Sequence, residues 1–143
     1  MTSEKMLRAV IDTNVLFEGL TQQHSLAGSI IDAWLVDLFQ PYTTNALVSE
    51  YADVLSRKLS PQRWHQLQPL LGTLLTKTQF VEIHYTWRPI SPDPADDHII
   101  DCAMNANAII VTANLRDFRR AKDMLGVTIM SPFEFVVELA KIE

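Results

Sequence analysis

The sequence predicts an α/β domain in which a parallel sheet is covered by helices on both faces. Short apolar runs without alternation, of which Ala108-Ile109-Ile110-Val111-Thr112 is the strongest, have the pattern of strands buried on both sides. Between them lie segments whose apolar residues recur at intervals of three and four, long enough to be the crossover helices that parallel strands require. With 143 residues, 48% of them hydrophobic, the chain has the usual size of one globular domain, and one domain is expected over residues 1–143.

The elements follow in order. Leu7-Arg8-Ala9-Val10-Ile11 is a mostly apolar run ending at Asp12, which predicts a buried strand followed by a turn, with Asp12 at its C-terminal end. Ser25 is a helix cap in front of Leu26, Ala27, Ile30, Ile31, Trp34 and Leu35, which share a helical face. Leu38 to Tyr42 predicts the second strand, leading into Thr43-Thr44-Asn45, a turn able to cap the next helix. That helix places Leu47, Tyr51, Val54 and Leu55 on one stripe, with Glu50 at its border. Ser60-Pro61 opens a further helix carrying Trp64, Leu67, Leu71, Leu74 and Leu75, which Pro69 should kink or divide.

Phe80-Val81-Glu82-Ile83-His84 alternates as a short strand would, and the longest irregular stretch follows, from about Tyr85 to Asp93. Asp93-Pro94-Ala95-Asp96 then supplies a cap, a proline at the first helical position and a first-turn acid for a helix through Asn105. After the Ala108 to Thr112 strand, a helix from Phe118 to Met124 and a shorter strand, Val127 to Met130, are expected. Ser131-Pro132-Phe133-Glu134 is a capping box for a last helix, with Phe133, Val136, Val137 and Ala140 sharing a face.

Composition narrows the function classes. No run approaches the 18 or so apolar residues of a membrane span, and the N-terminal residues lack a signal-peptide pattern, so a soluble cytoplasmic protein with no membrane partner is expected. The single cysteine, Cys102, offers neither an internal disulfide nor a zinc knuckle. A net charge of −5 argues against a general nucleic-acid coat protein, although a carboxylate active site contributes negative charge of its own.

In parallel sheets the ligand site lies beyond the C-terminal strand ends. Asp12, Asp97 and Asp117 fall there, and Glu50, in the second turn of its helix, is placed to join them. Clustered carboxylates repel by roughly 1 kcal/mol per pair at about 4 Å in water, and more where partly buried, so a cation is needed. An oxygen-only, histidine-poor set points to Mg²⁺ or Mn²⁺, which suits phosphodiester hydrolysis. Asp101 shares a helix face with Asp97 and is a further candidate ligand. The bland alternatives stay open: Asp12 as a turn residue, Glu50 as a solvated helix residue, and Asp97 as a dipole partner. Asp117 could likewise cap the helix that follows it, and Asp93 and Asp96 read as cap and dipole partner. His24, His65, His84 and His98 show no metal-ligand spacing. Arg116, Arg119, Arg120 and Lys122 cluster beside Asp117 and either guide a phosphate or form a solvated face.

With these residues in view, the chain resembles a PIN (PilT N-terminus) domain, particularly the subgroup assigned to toxins of toxin-antitoxin systems. The carriers are Val10 to Leu16, Leu47 to Leu55, Asp93-Pro94-Ala95-Asp96-Asp97 with Cys102-Ala103, and Ile110 to Phe118. The resemblance implies a three-layer α/β/α sandwich, divalent-metal dependence, endoribonuclease activity on single-stranded RNA leaving 5′-phosphates, a cognate antitoxin and a homodimer. Asp12, Glu50 and Asp97 match the family's core acids, Asp117 a position often acidic, and Thr13, Asn14 and Thr112 accompanying polar positions. Relatives often read Thr-Gly-Asp where this chain has Thr112-Ala113-Asn114, which leaves the fourth carboxylate between Asp117 and none. Two rivals remain: a phosphoryl-transfer domain of the receiver or haloacid-dehalogenase kind, and a catalytically silent PIN fold serving as a binding module. The first lacks both an acid two residues after Asp12 and a lysine after a late strand.

Overall fold

The computed structural model describes residues 6–86 and 94–142. Strand β1 (Arg8–Ile11) is followed by α1 (Thr13–Thr21), α2 (Leu26–Leu35), β2 (Gln40–Thr43), α3 (Asn45–Lys58), α4 (Pro61–Thr76) and β3 (Gln79–Phe80). The second half comprises α5 (Pro94–Ala106), β4 (Ile109–Val111), a 3-10 helix (Leu115–Phe118), α6 (Arg119–Leu125), β5 (Ile129–Met130) and α7 (Pro132–Lys141). All strand pairs are parallel and the sheet order is β3-β2-β1-β4-β5. The chain winds outward one way from β1 and then the other way from β4. Right-handed crossovers in opposite directions cover opposite faces, which gives the α/β/α sandwich. Among the described residues no helix is long and apolar enough to cross a membrane.

One apolar cluster runs from Ala9 to Phe135. At its centre the Phe39 ring meets Trp34 edge-on at 6.2 Å and Phe135 at 5.1 Å, an arrangement that sets ring edges against ring faces. The buried Trp34 indole N–H donates to the Leu74 carbonyl at 2.9 Å, so this large side chain seals the α2–α4 contact without leaving a polar atom stranded. The caps are those expected: the Ser25, Thr44, Ser60 and Ser131 side chains each accept from a first-turn N–H, and Ser131 with Glu134 completes the capping box.

Four elements depart from the sequence expectation. A whole helix, α1, begins directly after Asp12, where a turn was expected. Thr13, Asn14 and Gly19 are weak helix formers and Asp12 makes no side-chain cap, so local propensity is low; burial of Val15, Leu16 and Leu20 against α2 and α3 carries the helix instead. Helix α4 runs unbroken through Pro69. Pro69 and His65, whose carbonyl loses its donor, both face solvent, where water can take that carbonyl. The strand expected over Phe80 to His84 is reduced to Gln79–Phe80, because only Tyr42 and Thr43 lie alongside to pair with it. Finally, α7 buries Phe135, with Val136 and Leu139 beside it, whereas Phe133, Val137 and Ala140 are exposed. Both stripes have helical spacing, and the ring that reaches Phe39 decides between them. The proposed cap Asp93 lies outside the described residues.

Gly19 marks the closest approach of α1 to α2: a Cβ there would lie 2.5 Å from Ile31 Cγ1 and 2.7 Å from the Ala27 carbonyl oxygen. The backbone atom cannot rotate away, so Gly19→Ala should lower the unfolding free energy by about 1–3 kcal/mol despite alanine's better helix propensity. A urea midpoint equal to or above that of the unsubstituted protein would show that the two helices can move apart freely.

Candidate active site

The winding direction reverses between β1 and β4, and the open crevice of such a sheet lies at the C-terminal ends of those two strands. Asp12 ends β1 there and Thr112 ends β4. Ladder pairing of Ile11 with Val111, continued by the Asp12 N–H to the Val111 carbonyl at 3.0 Å, brings the two residues level. The Thr112 hydroxyl then donates to Asp12 Oδ2 at 2.7 Å, a buried, charge-assisted bond. The same Thr112 oxygen accepts from the Asn114 N–H at 3.0 Å, and the Asn114 side-chain amide donates to Asp117 Oδ2 at 2.5 Å. Asp12, Thr112, Asn114 and Asp117 thus form one continuous chain of hydrogen bonds. Asn114, the neutral departure from the expected acid, orients Asp117 on the 3-10 helix, and Asp117 is half-buried.

Asp97 and Asp101 sit one turn apart on α5, which packs against β1, β2 and β4. They are 5% and 2% exposed, and Asp12 is 7% exposed, far more enclosed than a capping or dipole role would require. Glu50 is half-buried on α3. Thr13, the first residue of α1, is buried and its hydroxyl has no hydrogen-bond partner among the described residues. Asn14 is exposed on the outer side of α1. Arg116, Arg119, Arg120 and Lys122 are all exposed; Arg119 and Lys122 line a groove with Asp123 and Glu134, whose charges offset theirs, which leaves Arg116 as the cation on the turn that carries Asp117.

Tyr51 is a contributor that sequence reading assigned only to the core stripe. It is fully buried, and its hydroxyl donates to the Ile11 carbonyl at 2.6 Å. The β1–β2 ladder pairs Arg8 with Gln40 and Ala9 with Pro41, and the phenol takes up a strand-end carbonyl beyond those pairs. It thereby fixes the backbone immediately before Asp12 to α3, the helix that carries Glu50. Burial, with the nearby Cys102 and Asp12 adding to it, pushes the Tyr51 phenol well above its ordinary 10.0, which favours the protonated, donating form. Burial also raises the Cys102 thiol, helped by the neighbouring Asp101 charge, to about 12.

Among the described residues no three or more His, Cys, Asp and Glu side chains stand close enough together to share one ion directly. Mg²⁺ does not require such a cage, because it keeps several waters and takes one or two carboxylates directly. The buried Asp12 and Asp97 carboxylates and the Thr13 hydroxyl are oxygen donors of the kind that Mg²⁺ takes.

A profile described as the PIN domain matches residues 8–116. No curated protein matches the chain. Among solved structures, the fold is similar to that of VapBC2 from Rickettsia felis bound to a DNA fragment from its promoter, with a TM-score of 0.64, 13% identity, and coverage of 87% of this chain and 98% of that one. DNA-bound VapBC from Salmonella typhimurium gives 0.63 at 16% identity over 89% and 99% of the two chains. FitAcB from Neisseria gonorrhoeae gives 0.59 at 17% identity over 87% and 98%.

The thiol makes an alkaline prediction. Unfolded, Cys102 loses its proton near its ordinary 9.0; folded, it holds the proton to about 12. Its contribution to stability is therefore complete below about pH 9 and is lost as pH rises from there through 12. At pH 8 a thiol-specific disulfide reagent should label Cys102 only when denaturant unfolds the protein. Prompt labelling under native conditions would show that the α5 face is open.

Proposed function

The chain belongs to the PIN domain family, and from that membership and the enclosed carboxylates we propose that it is a divalent-metal-dependent endoribonuclease of single-stranded RNA. In this reading it is the toxin of a toxin-antitoxin pair, working in the cytoplasm as a homodimer and silenced by an antitoxin that covers the crevice. The observation that carries the reading is the hydrogen-bonded chain from Asp12 to Asp117 at the reversal point of the sheet, with Asp97 and Asp101 buried on the adjoining helix. Burying carboxylates is costly unless something offsets their charge, and a divalent cation shared with a phosphodiester is a compensation that an active nuclease would use.

Asp12 and Asp97, with the Thr13 hydroxyl, are the residues that would hold Mg²⁺ or Mn²⁺. When bound, such an ion supplies a water of lowered pKa and neutralises charge on the phosphodiester. The chain's own groups do the rest. Thr112 fixes the orientation of the Asp12 carboxylate through its Oδ2. Asn114 holds Asp117 at the crevice wall, where it can orient a water in line with phosphorus. Tyr51 holds the strand end to α3, the helix that carries the half-buried Glu50. Arg116, exposed beside Asp117, is placed to steady an RNA phosphate outside the carboxylate zone. In-line attack of water with departure of the 3′-oxygen leaves 5′-phosphate products.

Asp12→Asn tests the assignment. Asparagine retains an oxygen to accept the Thr112 hydrogen bond, so circular dichroism should be unchanged and the unfolding free energy should move by no more than about 1 kcal/mol. Cleavage of a single-stranded RNA in Mn²⁺ should fall to about a hundredth or less. Mn²⁺ should also raise the melting temperature of the unsubstituted protein and not that of the variant. Full activity in Asp12→Asn would overturn the reading.

A further inference from the structure

Beside the carboxylates lies a second cleft, of about 530 Å³, between the start of α3, the segment 81–84 and α5. Its volume falls within the roughly 300–1,000 Å³ of small-ligand sites. Its walls include Asn45, Val81, Glu82, Ile83 and His98. Among the described residues that line it there is no lysine or arginine, and two carboxylates are present, so a phosphate is disfavoured here. Val81 and Ile83 contribute aliphatic side chains, His98 a half-buried ring, and the exposed Asn45, at the first position of α3, an amide with both donors and an acceptor. Glu82 adds an acceptor for an exocyclic amine.

The cleft is preformed although no ladder supports its outer wall. The Val81 N–H donates to the Thr43 carbonyl at 2.9 Å, which ties one end to β2. At the other end Asn105 Oδ1 accepts from the backbone N–H groups of His84 at 3.0 Å and Tyr85 at 3.3 Å, while its Nδ2 donates to the Tyr85 carbonyl at 2.9 Å and the Asp101 carbonyl at 2.8 Å. His98, Asp101 and Asn105 lie at helical spacing of three and four, so one stripe of α5 faces the cleft. Asp101 is also one turn from Asp97, and is the seam between the cleft and the carboxylate crevice.

We propose that this cleft is a nucleobase subsite for adenine, seating a base of the strand whose phosphodiester lies at Asp12. Asn45 reads the adenine N6 and N7 edge, the pairing that an amide makes in two hydrogen bonds, and His98 with Ile83 holds the ring faces. The proposal rests on the nuclease reading for its strand and on the cleft alone for its base.

The test keeps the two apart. Isotope-labelled full-length protein without metal is titrated with millimolar adenosine and, separately, uridine, and backbone amide shifts are followed. Adenosine should move Asn45, Ala46 and Ile83 more than uridine does, and Asn45→Ala should abolish those shifts with the remaining spectrum intact. Ile83→Ala, at a partly exposed position outside the core, should weaken them as an independent variant. In uridine-rich RNAs carrying one adenosine, cleavage by the unsubstituted protein should fall beside that adenosine, and Asn45→Ala should lose about tenfold or more of the preference. Shifts that lie elsewhere, or are equal for the two nucleosides, overturn the subsite. Cleavage with an unchanged base preference in Asn45→Ala overturns it while leaving the nuclease intact. Adenosine held in the cleft with no RNA cleaved upholds the subsite and removes the nuclease.

Discussion

The bond between Thr112 and Asp12 joins residues 100 apart in sequence, and it exists only because β1 and β4 lie side by side. Neither strand is long: four and three residues respectively. Their pairing in register sets the height of Asp12 against Thr112, and a slip of one residue would turn Asp12 to the opposite face of the sheet. Everything else at the crevice is referred to that pair. Asn114 hangs from Thr112, Asp117 from Asn114, and Tyr51 clamps the carbonyl that precedes Asp12.

Much of this architecture was legible in the chain because the signals were strong and local. An unbroken aliphatic run such as Ala108 to Thr112 has few alternatives to a strand buried on both faces, and Ser or Thr before a periodic segment announces a helix start by the hydrogen bonds it can make. The expectation that Asp12, Asp97 and Asp117 gather at one edge came from topology more than from composition, because parallel strands collect their following residues there. What composition could not give is which acid is enclosed. Asp97 and Asp101 share a helix face and are candidate ligands in the sequence, Asp97 with a dipole role as its alternative, but their enclosure is seen only where α5 lies against three strands.

The features that escaped reading are those for which packing overrides local preference. Helix α1 has a glycine and two poor helix formers, and it is carried by burial of Val15, Leu16 and Leu20, with Gly19 allowing the close passage of α2. Tyr51 looked like one more apolar residue on a stripe; its hydroxyl matters because a strand-end carbonyl happens to lie where it points. The two stripes of α7 differ by one residue position, and only the Phe39 ring distinguishes them. Asn105 carries no sequence signal at all, since an amide late in a helix can face anything, and here it pins a neighbouring backbone segment.

The outermost strands of the sheet, β3 and β5, are two residues each. After the Val81 N–H bond to Thr43 the backbone leaves the ladder and at His84 binds a side chain on α5 instead, and after Met130 it turns at once into a capped helix. A free margin of a sheet is a template on which another chain can polymerise, and its hazard grows with the length of unpaired backbone on offer. Among the described residues each flank offers a strand of only two residues to zip against. A protein that exposes Phe80, Ile83 and Phe133 can therefore still resist fibre growth, because its stickiest side chains are not backed by an extended backbone able to propagate it.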